Sequence, residues 1–224
     1  MSHGIQIIYE DSNIMIINKP IKMLSHREDR NQLPNVLSEL KHPQYHVITR
    51  LDTNTTGLLL LAKTSESASQ LSKWMRAGTI HKTYLALAVG YFSNPEDTVE
   101  AYLLKDSENS IVRLSHTPLE GADKIVTKYK VLQEKNQLSL VEIELITGKT
   151  HQIRSHFALL KKPLLGDPLY GNKKMNQLHH QTVQCLISYK LSFDTFENSS
   201  SLDYLFGKEF VLKKIPFIDI IEKK

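Results

Sequence analysis

One cysteine among 224 residues, Cys185, leaves no material for a disulfide framework or for a multi-cysteine zinc site. A reducing, cytoplasmic setting is the expectation that follows. No apolar stretch approaches the roughly 20 residues needed to span a bilayer, so no membrane association is expected. Met1-Ser2-His3-Gly4 runs straight into a strand-like segment, with neither the basic start nor the apolar stretch of an export signal. No internal repeat or low-complexity tract is visible. The histidines His151, His179 and His180 fall at no convincing metal-ligand spacing, and no metal site is expected.

What is present is ordinary for a soluble globular protein: 41% hydrophobic and 23% charged residues, enough to bury one substantial core. The expectation is a single domain over residues 1–224, working as a monomer. Lysine and arginine total 28 against 24 acids, a net charge of +4. That mild excess is compatible with a polyanionic partner and does not identify one.

The most informative stretch runs from His46 to Thr64. Arg50 and Asp52 stand in a polar loop just before Gly57-Leu58-Leu59-Leu60-Leu61, a run without alternation that reads as a strand buried on both faces. In an extended loop, residues two apart project to the same side, so Arg50 and Asp52 look one way while Leu51 turns inward. A carboxylate so placed can serve as nucleophile or base; by spacing alone a local ion pair is the simpler account.

Around this stretch, Ile5–Tyr9 and Ile14–Asn18 read as a hairpin ending on Asn18-Lys19-Pro20, with Lys19 a strand-end lysine. Ser25–Arg30 reads as a charged, mobile loop, and Leu33–Leu40 as a short helix with Pro34 at its start. Thr64 caps a helix over Ser65–Ala77 that ends at Gly78 and presents Leu71, Trp74 and Met75 to the core. Lys82–Gly90 is a strand with Tyr84, Ala86 and Ala88 on one side, a pattern that leaves space over that face. From Val99 to Ile146, alternating segments suggest an antiparallel meander. Thr150 is placed to cap a helix carrying Ile153, Phe157 and Leu160 inward. Backbone N–H groups at its start, with Thr150, His151 and Gln152, would suit a phosphate. Arg154 lies one turn in and leans back over that start. Asp167 reads as a turn-stabilising residue. Cys185–Phe193 and Phe206–Leu212 complete the strands, with a helix expected in the tail.

Three of these blocks together resemble the RluA-type pseudouridine synthases. Arg50-Leu51-Asp52, Thr55, Gly57 to Leu60, Ala62 and Lys63 are similar to the family's central motif. Lys82-x-Tyr84-x-Ala86 is similar to its second, and Thr147-Gly148-Lys149-Thr150-His151-Gln152-Ile153-Arg154-x-His156 to its third. The chain departs from the family pattern at Lys22, Thr49, Thr56, Lys161, Ile187 and Ser188, where glycine, histidine, serine, glycine, histidine and alanine are usual. The resemblance spans Ile7 to about Ile218.

It implies an α+β pseudouridine synthase fold: a mixed, mostly antiparallel sheet with flanking helices and a central active-site cleft. It also implies a catalytic domain without an N-terminal RNA-binding module. The implied activity is isomerisation of specific uridines in ribosomal or transfer RNA, without cofactor or metal. Asp52 would be the essential carboxylate, Arg154 the arginine that keeps it ionised, and Tyr84 the ring that packs on the target base. Arg50, Lys19, Thr150, His151 and Gln152 would contact substrate, Lys19 through structural pairing or a phosphate. The alternative is a non-catalytic RNA-binding or ribosome-assembly protein on the same fold. A glycoside hydrolase is more distant, since it needs two cooperating acids and only one is convincing.

Overall fold

The computed structural model describes residues 4–26, 33–106, 111–196 and 200–222. In chain order its elements are β1 (Gln6–Glu10), β2 (Ile14–Lys19), α1 (Val36–Leu40), β3 (His46–Val47), β4 (Thr56–Ala62), α2 (Ser65–Ala77), β5 (Ile80–Val89), β6 (Glu96–Asp106), β7 (Ile111–Ser115), β8 (Asp123–Lys135), β9 (Leu138–Leu145), α3 (Gln152–Leu159), α4 (Lys173–Leu178), β10 (Leu186–Phe193), β11 (Glu209–Val211) and α5 (Ile218–Glu222), with a short 3-10 turn at Asp203–Leu205. The chain forms two compact units, Met1–Lys82 with Ile187–Lys213, and Thr83–Leu186 with Lys214–Lys224. Strands dominate both, with few helices, so the α+β class expected from the sequence describes the fold.

In the first unit β1 and β2 form the opening antiparallel hairpin. Its turn is held by the Asp11 carboxylate, which accepts the N–H groups of Asn13 and Ile14 at 2.7 and 2.8 Å. β4 runs antiparallel to β2 along its whole length. Its other edge is divided: β3 pairs near its end, antiparallel, and β10 pairs near its start, parallel. β11 then adds to β10. Leu58 to Ala62 are 0–1% exposed, the two-faced burial that an unalternating apolar run requires. Each such leucine contributes roughly 1.5–3 kcal/mol. α2 starts and stops where its signals stand: the Thr64 hydroxyl accepts the Ser67 N–H, and Gly78 takes the left-handed conformation that ends it. Its Trp74 is fully buried, 4.8 Å from the ring of Phe206.

α1 is shorter than Leu33–Leu40. Asn35 caps it through the Ser38 N–H, which leaves Pro34 outside the helix. The mobility expected for Ser25–Arg30 falls, from Arg27 onward, outside the described residues.

The second unit is antiparallel throughout, in the order β5-β9-β8-β6-β7. It is not a simple meander, because β6 lies between β8 and β7, and β9 returns between β5 and β8. A core of Ala101, Leu103, Val112 and Ile125 is closed by Leu114, Leu159 and Tyr170. β5 departs from the expectation of an open face. Tyr84, Ala86 and Ala88 are 4, 0 and 0% exposed, and Leu85, Leu87 and Val89 on the other side are buried as well. α4 had no expectation behind it: Lys173-Lys174-Met175-Asn176-Gln177-Leu178 has no apolar stripe, and none of it is buried. The expected last strand shrinks to Glu209–Val211, and the tail does end in a helix, α5.

Candidate functional site

In the first unit, the chain between β3 and β4 carries Arg50 and Asp52. This loop is tied down residue by residue. The N–H of Ile48 donates to the Leu60 carbonyl at 2.9 Å, and the Thr49 hydroxyl accepts the Leu60 N–H at 2.9 Å. The Ser25 hydroxyl grips Leu51 twice, donating to its carbonyl at 2.8 Å and accepting its N–H at 2.9 Å. A turn closes where the Asp52 carbonyl accepts the Thr55 N–H at 3.0 Å. Leu51 is buried, Asp52 half-buried and Arg50 exposed, the alternation that the spacing implies. Thr49, where the family pattern has histidine, is thus an internal bolt between the loop and β4, and only 3% exposed.

Lys19 sits beneath this loop with no exposed surface. Its ammonium donates to the carbonyls of Met23 at 2.8 Å, Pro20 at 3.0 Å and Thr53 at 3.1 Å. It therefore ties the turn after β2 to the residue following Asp52. Burial pushes its pKa down to about 8, against the pull of the Asp52 carboxylate, which favours the charged form. Of the two roles expected for Lys19, structural pairing or a phosphate contact, these ties are of the first kind, and an ammonium with no surface offers nothing to a phosphate.

In the second unit, α3 carries most of the third block. Its start differs from the expectation. His151, not Thr150, is the capping residue, in the left-handed conformation at φ 52° and with no side-chain cap. Thr150 is exposed. The Gln152 side chain takes over the tie that a cap would supply. Its oxygen accepts from the Lys149 N–H at 3.0 Å and the Thr147 hydroxyl at 2.9 Å, while its amide donates to the Val126 carbonyl and the Thr127 hydroxyl. All its hydrogen-bonding capacity is used inside the protein and it is 2% exposed. The expected substrate contact through the Gln152 side chain is therefore corrected to a structural one. His156 is buried too, its Nδ1 3.0 Å from the Thr127 hydroxyl.

Arg154 is 5% exposed, far from the solvated residue its position would suggest by default. Asp167 holds its guanidinium at two points, Nε to Oδ2 at 2.7 Å and the terminal nitrogen to Oδ1 at 3.0 Å. The Tyr170 ring lies 5.3 Å from the guanidinium carbon, and the Tyr170 hydroxyl meets His151 Nδ1 at 3.1 Å. Asp167 also accepts the N–H groups of Leu169 and Tyr170, which is its expected turn-stabilising role. Burial raises its pKa, but the Arg154 hydrogen bonds and charge and the two backbone donors outweigh this and hold it below the usual carboxylate range. Asn176 of α4 supports the same turn, accepting the Gly166 N–H at 2.7 Å and donating to the Asp167 carbonyl at 3.1 Å. Asp167 as the anchor of Arg154, and Asn176 behind it, escaped the sequence. Only the position of Asp167 in a family segment could have drawn attention to it. Tyr84 is buried in β5. Cys185 is buried, its thiol pushed up to about 12 by burial, and it is no nucleophile at neutral pH.

Comparison with known proteins bears on what these arrangements serve. A family model described as RNA pseudouridylate synthase matches residues 13–159, more than half of the chain. A protein of Mycoplasma pneumoniae named as an uncharacterized RNA pseudouridine synthase is 34% identical over 173 residues, 75% of this chain and 56% of its own length. A Bacillus subtilis protein, also named as an uncharacterized RNA pseudouridine synthase, is 34% identical over 197 residues, 81% of this chain and 64% of its own. Ribosomal large subunit pseudouridine synthase D of Borreliella burgdorferi is 30% identical over 213 residues, 87% of this chain and 63% of its own. The chain thus spans a little over half to just under two thirds of the length of these curated relatives. Among solved structures, human RNA pseudouridylate synthase domain containing 1 superposes with a TM-score of 0.74 at 20% identity, covering 100% of this chain and 97% of that one. At that identity the likeness concerns the fold.

Proposed function

This chain belongs to the RNA pseudouridylate synthase family, and on that footing we propose that it converts uridine within RNA to pseudouridine with Asp52 as the essential carboxylate. The observation that carries the reading is the placement of Asp52. It stands half-exposed on a loop fixed by Ser25, Thr49 and Lys19, and its carboxylate offsets part of the cost of burying the Lys19 ammonium. A reacting group held this rigidly needs little reorganisation at the moment of reaction.

The reaction is an isomerisation. The bond from N1 of uracil to C1′ of the ribose breaks, the base turns, and C5 is joined to C1′. The proton lost from C5 is matched by one gained at N1, so no oxidant, reductant or hydrolytic water is consumed. Asp52 acts as nucleophile or as base. Arg154 is assigned to the reaction as a fixed positive charge; its fork is already oriented by Asp167 and Tyr170. Tyr84 is assigned to the flipped base, which must find another surface once it has left its stack. Arg50, exposed on the Asp52 loop, is assigned to the RNA backbone, and the exposed Thr150 and half-buried His151 to substrate contacts at the start of α3. A ribosomal target is favoured by the name of the Borreliella relative. The net charge of +4 suits a polyanion. We read the protein as a cytoplasmic monomer in which residues 1–224 serve one catalytic domain.

The test is a map of pseudouridine over total cellular RNA from cells with and without the protein. Loss of one or more sites in the cells lacking it is the expected result. An unchanged map across growth conditions would overturn the proposal.

A further inference from the structure

Along β5, Ile80, Lys82, Tyr84, Ala86 and Ala88 share one face. Ile80, Tyr84, Ala86 and Ala88 are all buried, at 4% exposure or less. Lys82 is the one charged residue in this stripe, and it is half-buried. The residue before it, His81, projects to the other face, where its ring meets the Asp194 carboxylate at 2.7 Å. The polar group on that side has a partner; the one on the Lys82 side does not. Among the described residues, the Lys82 ammonium has neither a hydrogen bond nor an ion pair.

The contrast with Lys19 is instructive. Lys19 is more deeply buried, but three carbonyls and the Asp52 carboxylate compensate it. Lys82 is partly stripped of water with nothing in return, and burial alone pushes its pKa below the ordinary lysine value. A lysine whose stem merely covers apolar surface extends its ammonium into water and escapes that penalty. A cation held short of full hydration without a partner is costly, and an anion arriving from outside would remove the cost.

We propose that Lys82 is a phosphate-binding residue that receives one phosphodiester of the RNA, on the same strand face as Tyr84 and two residues before it. The inference rests on the reading that RNA is the substrate. It adds a specific anion contact to the second motif, beyond the roles assigned to Asp52, Tyr84 and Arg154.

The experiment measures the dissociation constant of the purified protein for a target RNA at several salt concentrations, alongside thermal melting, for wild type, Lys82→Met and Lys82→Arg. A neutralised phosphate contributes a slope of about 0.7–0.9 in log Kd against log salt. Lys82→Met is expected to reduce the slope by that amount, to weaken binding several-fold at low salt, and to melt no lower than wild type. Lys82→Arg is expected to keep the slope. Should Lys82→Met fail to fold, Lys82→Gln gives the same slope change while keeping a polar end. A steep wild-type slope left unchanged by loss of the cation would overturn the role of Lys82 and leave the RNA reading intact. A flat wild-type response would instead overturn the RNA reading on which the role depends.

Discussion

A Cβ on Gly57 would lie 2.2 Å from the carbonyl oxygen of Ser188 and 2.7 Å from its amide nitrogen. The two residues are partners in the parallel pairing of β4 with β10, and Gly57 has φ of 115°, where side chains are strained. The glycine that follows the Asp52 loop is therefore set by backbone approach. Gly57→Ala is expected to cost roughly 3–5 kcal/mol, combining strain with a backbone clash. Urea denaturation measures it; a loss below about 1 kcal/mol would contradict the close approach.

Lys22 and Lys161 stand where the family pattern has glycine, and both keep the left-handed backbone, at φ of 56° and 59°. The turns are thus retained by residues that strain to make them. Lys22→Gly and Lys161→Gly should each stabilise the protein by up to about 1 kcal/mol, relief of strain being partly offset by the freer unfolded chain. Lower urea midpoints for both variants would refute this.

Those lysines show what the sequence carries and what it hides. The Leu58–Ala62 run, the Thr64 cap and the Gly78 stop were legible because each is a local signal with one physical meaning. Tyr84 and its small neighbours suggest an open face that the fold in fact fills, because strand alternation says which residues share a face and not what covers it. Lys19 and Gln152 looked like surface contacts since polar residues usually are; their burial depends on carbonyls and hydroxyls from distant segments, such as Thr53 and Thr127. The anchoring of Arg154 by Asp167 joins residues that no short motif links. Asp52 was legible as a candidate from its motif, while the ties that fix its loop were not.

His156 is buried against Thr127, and burial, reinforced by the charge of His116, lowers its pKa from 6.5 to about 4. The unfolded chain takes up this proton at higher pH than the folded protein does. Stability from this residue is therefore full above pH 6.5 and is lost as pH falls toward 4, by about 3 kcal/mol at most. Melting curves between pH 7.5 and 4.5 should show that decline, and His156→Gln should flatten it. An equal decline in the variant would place the acid sensitivity elsewhere.

Lys19 gives up its proton as pH rises through about 8. The unfolded chain holds the same proton to about 10.5, so this deprotonation favours the folded state. Loss of the charge beneath Asp52 is nevertheless expected to slow the reaction. Single-turnover rates should fall above pH 8 while circular dichroism stays constant. A rate that stays level to pH 9.5 would show that the Lys19 charge does not serve catalysis.

The most direct test of the account is single-turnover modification by Asp52→Asn on an RNA whose pseudouridine depends on the protein in cells. The substitution keeps the shape of the side chain and the backbone ties of the loop, so RNA binding should remain within a few-fold of wild type. Pseudouridine formation should fall below detection, a loss of at least about four orders of magnitude, or some 5 kcal/mol in transition-state stabilisation. Turnover within tenfold of wild type would contradict Asp52 as the essential carboxylate.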